Sequence, residues 1–240
     1  MDRRKFLLNS LALGVGSALS KIAFAEPLKF RNSISSPFFL KDPPMQMTPV
    51  LMRSYNNART CTNTRETVLN VNNVTTKGIK KLFSLSIPGD KRGCEAQTLI
   101  VPNVIVNGVR HNLAILATMA NTVLAYDADT GNLLWTLKIA TPVNGGPAID
   151  AHTINDHWGI LSTPVIDAAT NVLYCVAWSS ATGDYKNAVH SFYAINILTG
   201  KVIKGPLSLE GVAYDPGNNL PIQKYASIER KQRCGLLLTN

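Results

Sequence analysis

The sequence predicts an all-β fold built from repeated four-stranded antiparallel units. Short β-branched and apolar runs follow one another between turn residues, with almost no helical periodicity. One turn pattern also occurs twice, as Ala-Tyr-Asp-Ala-Asp-Thr-Gly at 125–131 and as Ala-Ile-Asn-Ile-Leu-Thr-Gly at 194–200. Four strands repeated in fixed order are typical of propeller blades. We therefore expect a partial, open β-propeller over residues 55–240, preceded by an N-terminal signal peptide.

The first complete unit is expected between Thr98 and Ile139. The dipeptide Asn107-Gly108 favours a tight hairpin after the first strand. At the later turn, the Asp127 side chain can cap free backbone N–H groups and Gly131 supplies a positive φ. Trp135 then offers a large apolar face and one N–H to a neighbouring unit. The four predicted strands cover residues 98–106, 113–118, 122–126 and 133–139.

The same order returns after Thr163, and partial copies flank the two complete units. In the second unit, the sequence predicts strands at 163–167, 172–178, 189–195 and 201–209. Residues 79–85 match a fourth strand alone, and Gly235–Leu238 resembles the first strand of a further unit. A ring from this chain alone would be open. We expect either the N-terminal part of a longer, truncated propeller or several copies that close a ring, and a β-sandwich with coincidental turns is the alternative fold.

The repeated residues resemble the pyrroloquinoline-quinone enzyme repeat, the blade of quinoprotein-like β-propellers. The docking motif of that family is approximately A-x-D-x-x-T-G-x-x-x-W. The first copy fits it fully, whereas the second has Ile203 or Lys204 where Trp is expected, and Phe83 takes the corresponding place in the earlier partial copy. The predicted docking residues are Ala125, Asp127, Thr130, Gly131 and Trp135 in the first copy and Ala194, Asn196, Thr199 and Gly200 in the second.

The resemblance implies a fold more strongly than an activity. Quinone dehydrogenases of this family carry an adjacent Cys-Cys pair, a stacking Trp and acidic or amide calcium ligands. This chain has no adjacent cysteines, and the catalytic Asp of the family would come further along a full-length chain. Pyrroloquinoline quinone and calcium are therefore expected only if the chain is part of such a dehydrogenase.

The N-terminus predicts export. Arg3-Arg4-Lys5 precedes an apolar stretch from Phe6 to Leu19, and Ala23 and Ala25 fit a cleavage site, as in a twin-arginine signal peptide over residues 1–25. Five prolines between residues 26 and 54 indicate an extended leader. We expect a periplasmic or secreted bacterial protein with no membrane span after signal cleavage; an uncleaved anchor is the alternative.

An oxidising compartment would make the cysteines candidates for disulfides. Cys61, Cys94, Cys175 and Cys234 allow three full pairings, among which the sequence does not choose. Cys175 lies in an apolar run, where it is either a small buried thiol or one half of a bridge.

The loop before the second unit contains the candidate metal-binding or acid–base residues. His152, Asp156 and His157, close to Asp150, could hold a divalent cation or act as acid and base, and a solvated polar loop is the alternative. The net charge is +9, but no basic stripe alternates with aromatic residues, which argues against a nucleic-acid groove.

The expected function is that of an exported, non-catalytic binding or scaffold module. Its rim loops would face a protein or carbohydrate partner, because loops carried on a rigid framework are common binding sites. The alternatives are the N-terminal fragment of a quinone-dependent dehydrogenase and a truncated gene product without function.

Overall fold

The computed structural model describes residues 47–87, 94–152 and 154–239. It is mostly β. The first sheet contains β1 (Leu99–Val106), β2 (Val109–Ala117), β3 (Thr122–Asp127) and β4 (Leu133–Lys138). The second sheet contains β7 (Val165–Asp167), β8 (Val172–Ser179), β9 (Val189–Asn196) and β10 (Lys201–Ser208). Two short hairpin ladders are formed by β5 (Val143–Asn144) with β6 (His157–Trp158) and by β11 (Ala213–Tyr214) with β12 (Gln223–Lys224).

Both large sheets are four-stranded antiparallel meanders in which every strand pairs with its neighbours along the chain. The strand positions predicted for the two units are confirmed to within a few residues. The largest differences are that β2 begins at Val109, directly after the Asn107-Gly108 turn, and that β7 is shorter than predicted. The sequence did not predict the four short strands between and after the sheets.

A short helix, α1 (Val71–Lys77), departs from the all-β expectation. Its residues are weak helix formers and none is buried. The helix is instead set by its first turn, where the side chains of Asn70 and Asn73 each accept a hydrogen bond from the other's backbone N–H. Within the described residues, no helix is long and apolar enough to cross a membrane.

The main core lies between the two sheets. Leu113, Ile115 and Val123 of the first sheet pack in one cluster with Leu173 and Ile195 of the second. We call these the shared faces of the sheets. Because strand side chains alternate, the opposite, outer face of the first sheet forms a separate cluster. It contains Ala114, Leu116, Leu124 and Tyr126, packed against Leu85 and Ile87.

Two predicted partial strands are not strands. Residues 79–85 run without ladder pairing, although they still cover the first sheet. Gly235–Leu238 is also irregular, because its backbone bonds to other segments, with Leu236 N–H donating to the carbonyl of Thr163 at 3.0 Å. A repeat fragment therefore keeps its packing position here without forming the strand.

The end of the predicted leader has a structural role that its prolines did not indicate. Val50 pairs with Ile100 of β1 through two 2.9 Å backbone hydrogen bonds, and the Leu51 carbonyl accepts from Ile166 N–H of β7 at 2.8 Å. This segment therefore closes the free edges of β1 and β7. The predicted export signal at 1–25 and most of the leader lie outside the described residues.

Candidate functional site

The repeated turn has the same hydrogen bonds in both sheets. Asp127 Oδ1 accepts from the backbone N–H groups of Asp129 and Thr130, both at 2.9 Å. Asn196 Oδ1 accepts from Leu198 and Thr199 at 2.9 and 3.1 Å. A carboxylate and an amide oxygen thus cap equivalent turns, because only an acceptor oxygen is needed.

Trp135 connects the first sheet to the turn of the second. Its Nε1–H donates to the carbonyl of Ile197 at 2.9 Å. A Cβ added to Gly200 would lie 2.7 Å from the indole ring, and Gly200 has a φ of +65°. Gly200 therefore supplies both the left-handed backbone of the turn and the space in which the ring rests.

Phe83 makes the same contact at the turn of the first sheet. A Cβ on Gly131, which has a φ of +77°, would lie 2.9 Å from its ring. Of the other predicted docking residues, Ala125 lies on the shared face of the first sheet, and Ala194 lies on the outer face of the second. The structure thus contains two consecutive ring-on-glycine contacts.

Asp127 also contacts a histidine. His111 Nδ1 lies 2.5 Å from Asp127 Oδ2, and both side chains are largely buried. Burial raises the pKa of Asp127, but the hydrogen bonds from His111, Thr130 and Asp129 outweigh it and hold the pKa below its ordinary value.

The predicted cation ligands are not gathered into a metal site. Within the described residues, no group of three or more His, Cys, Asp or Glu side chains is arranged to hold a metal ion. His157 lies in β6, paired with Asn144 of β5, while Asp156 and His152 are exposed in the loop. The structure therefore does not support the cation site that the sequence pattern indicated.

The neighbouring Asp150 is engaged by its own loop. Its carboxylate accepts from the backbone N–H groups of Ile154 at 2.6 Å and His152 at 3.2 Å. Desolvation raises the pKa of Asp150, but these bonds, the charge of Lys231 and a bond from the Asn155 N–H together outweigh it and lower the pKa overall. The carboxylate is therefore a loop cap.

An aromatic cluster at one end of the two sheets was not predicted as a site. Trp158 and Trp178 are buried with Met119, Val143 and Leu161. The N–H groups of both indoles have no hydrogen-bond partner within the described residues. Because buried polar groups are normally paired, these two donors mark the cluster as unusual.

His190 stacks on Trp178 across the β8–β9 pair, with ring centroids 5.3 Å apart. Its Nδ1 lies 3.1 Å from the Tyr225 hydroxyl. Burial lowers the pKa of His190 to about 4, against the opposing charge of Glu210, so the ring is neutral at neutral pH. The alternation of side chains along β9 would have been enough to predict that His190 lies on the outer face of the second sheet. Its contact with Tyr225 could not be predicted in this way, because Tyr225 belongs to no repeat.

The outer side of Trp158 is covered by basic residues. Lys231 Nζ lies 3.9 Å from the ring centroid and donates to the Ile149 carbonyl at 2.6 Å, while the Arg233 guanidinium lies 5.7 Å from the ring. Burial lowers the pKa of Lys231, and Asp150 opposes this effect. Nearby, a cleft of about 280 Å³ opens between residues 144–149 and 182–185.

The comparisons with known proteins agree with the resemblance seen in the sequence. No family model matches the chain. The chain is 30% identical to the quinoprotein alcohol dehydrogenase PedH of Pseudomonas putida over 167 residues, which is 63% of this chain and 26% of the relative. It therefore has partial similarity to quinoprotein alcohol dehydrogenases, and the match spans about a quarter of that relative's length.

Two solved structures are also similar over parts of the chain. The quinohemoprotein alcohol dehydrogenase ADHIIG from Pseudomonas putida HK5 matches with a TM-score of 0.33 and 10% identity, over 49% of this chain and 26% of that one. A europium-containing methanol dehydrogenase matches with a TM-score of 0.29 and 12% identity, over 45% and 27% of the two chains.

Proposed function

We propose that this chain is a non-catalytic binding or scaffold module of the quinoprotein-like propeller type, exported to the periplasm or beyond. The observation that carries the proposal is the repeated ring-on-glycine contact, Phe83 on Gly131 and Trp135 on Gly200. The Trp135 contact fixes the first four-stranded sheet to the second through apolar packing and one hydrogen bond, and the Phe83 contact fixes the preceding irregular segment to the first sheet. The most specific residues of the repeat, the ring and the turn glycine, therefore hold neighbouring parts of the fold together.

The polar side chains near the loops support the same proposal. Asp127 and Asn196 cap turns, and Asp150 caps its own loop. A side chain whose acceptor atoms are engaged by backbone N–H groups is poorly placed to act as a general base. The cleft between residues 144–149 and 182–185 is the surface at which we place a protein or carbohydrate partner.

The test is a titration of the purified chain with pyrroloquinoline quinone and Ca²⁺, followed by the quinone absorbance and by tryptophan fluorescence. We expect no saturable change in either signal. The matched variant Trp158→Phe reports whether any fluorescence change arises at the aromatic cluster. Tight binding with a shift of the quinone spectrum would overturn the scaffold proposal.

A second candidate, part of a quinone-dependent dehydrogenase, is favoured by the 30% identity to a quinoprotein alcohol dehydrogenase. The residues described do not fit the quinone and its metal ion. The chain has no adjacent cysteines, its carboxylates form no metal-binding group among the described residues, and Lys231 covers the outer side of the buried Trp158. Alcohol oxidation with an artificial electron acceptor, measured with quinone and Ca²⁺ present, would separate the two candidates.

A further inference from the structure

Two segments outside the sheets meet where β1 and β7 have their free edges. Residues 50–61 reach both strands through Val50 and Leu51, as described above. Residues 233–238 reach the same place, because Leu236 N–H donates to the Thr163 carbonyl just before β7. We call these the front and rear segments. Both are attached to one region although they are far apart in the chain.

The two segments also contact each other directly. The Arg59 guanidinium donates to the carbonyls of Gly235 at 2.8 Å and Leu236 at 2.9 Å, and Asn57 Nδ2 donates to Leu238 at 3.1 Å. A Cβ on Gly235 would lie only 2.8 Å from Arg53 Cβ. The backbones of the segments are therefore in close contact at Arg53 and Gly235.

Each segment carries one exposed cysteine beside this contact. Cys61 Sγ lies 3.2 Å from Ser54 Oγ, so its side chain folds back onto the neighbour of Arg53. Cys234 immediately precedes Gly235 and is also exposed. Neither cysteine lies in a helix or strand, so a local shift of either would break no ladder hydrogen bond.

The other two cysteines are less suited to bridging. Cys175 is fully buried in the main core, and burial raises its pKa to about 12, so its thiolate is not available. Cys94 packs against the outer-face cluster of the first sheet. Its neighbour Glu95 forms an ion pair with Arg233 of the rear segment, so a Cys94–Cys234 bond is the competing pairing that the experiment must distinguish.

We propose that Cys61 and Cys234 form a disulfide that fastens the front and rear segments across the free edges of β1 and β7. The oxidant is a small-molecule disulfide such as oxidised glutathione. One thiolate attacks it, giving a mixed disulfide and one reduced glutathione. The second thiolate then displaces the other glutathione, so two protein thiols become one S–S bond. Both thiols are free in the structure. The bond requires Cα atoms within about 7 Å, so its formation includes a local movement of the two exposed segments towards each other.

The experiment uses the full chain, incubated with oxidised glutathione or with a reductant and digested with its free thiols blocked. Mass spectrometry should find a Cys61–Cys234 linked peptide only in the oxidised sample. The unfolding temperature should rise by about 5–10 °C on oxidation, since a closed loop of this length is stabilising.

Cys94→Ser is the matched control and should keep both the linked peptide and the temperature shift. Cys61→Ser and Cys234→Ser should each lose both. A linked peptide that joins Cys94 to either thiol, or free thiols at both positions after oxidation, would overturn the proposal. The peptide map of the unaltered chain decides the question even if a variant fails to fold.

Discussion

The two large sheets share strand order and turn chemistry but differ in their fourth strands. β4 is partly buried, whereas every residue of β10 is exposed. Four residues after the turn glycine, the first sheet has Trp135 and the second has Lys204. The fourth strand is therefore covered where its ring docks on another sheet, because the turn alone gives no burial.

The outer faces differ in the same direction. Leu85 and Ile87 cover the outer face of the first sheet. On the second sheet, Tyr174 and Phe192 stack with centroids 5.6 Å apart and remain half-buried. Repeats of one pattern thus end up in different surroundings, which four sets of substitutions can test.

Gly200→Ala should have the largest effect. The new Cβ would enter the Trp135 ring at a position with positive φ, so we expect a loss of about 3 kcal/mol in the free energy of unfolding. Gly108→Ala is the matched control, because Gly108 has a φ of +79° but no atom within 4 Å of its added Cβ. Gly108→Ala should lower the free energy of unfolding by only about 1 kcal/mol. Equal losses in urea denaturation would contradict the docking role of Gly200.

Trp135→Ala should destabilise by about 2–3 kcal/mol, since the ring is only partly buried. Trp135→Phe keeps an aromatic ring but removes the bond to Ile197, and should cost about 1 kcal/mol. Lys204→Ala, at the matching position of the second sheet, should change stability by less than about 0.5 kcal/mol. Chemical denaturation monitored by circular dichroism gives all three values, and a larger loss for Lys204→Ala than for Trp135→Ala would refute the comparison.

His190→Asn tests a titratable group present only in the second sheet, since Asn121 holds the matching repeat position in the first. The folded-state pKa of His190 is about 4, below its ordinary 6.5. The unfolded chain therefore takes up a proton first, and stability falls as pH drops from about 6.5 to 4. The total loss should be up to about 3 kcal/mol. The variant should lose this slope in unfolding measured across that range, and an unchanged profile would exclude His190 as its source.

Asp127→Asn makes the turn of the first sheet resemble that of the second, where Asn196 already caps. The folded-state pKa of Asp127 is lowered, so its stabilising contribution is present above the ordinary carboxyl value and fades as pH falls through the lowered one. The variant should therefore show a smaller loss of stability below about pH 4. Asn196→Ala removes the equivalent uncharged cap, and it should lower the free energy of unfolding by about 1 kcal/mol at every pH. Identical acid profiles for the unaltered chain and Asp127→Asn would contradict this role.

The parts of the fold that could be predicted are those encoded locally. Alternating apolar residues and turn residues such as Asn107-Gly108 define the strands of both sheets. The docking motif indicated that Trp135 packs on a neighbouring unit, but its partner Gly200 became known only from the structure. Two tertiary contacts could not be predicted: Tyr225 on His190, and Lys231 on Trp158. Tyr225 and Lys231 lie outside the repeats and reach their partners only when the chain folds. The cation site at His152, Asp156 and His157 stays a prediction, because proximity in sequence alone does not gather three ligand side chains, and no such group occurs among the described residues.

The attachment of the front segment to β1 and β7 has a consequence for synthesis. Val50 and Leu51 emerge from the ribosome well before Ile166, and Arg59 long before Gly235. Until those later residues are synthesised, the backbone groups along the outermost strands β1 and β7 lack some of their hydrogen-bond partners. Unpaired strand backbone of this kind can pair with other chains. A chaperone that shields extended backbone would therefore be most useful between the translation of β4 and of residue 236.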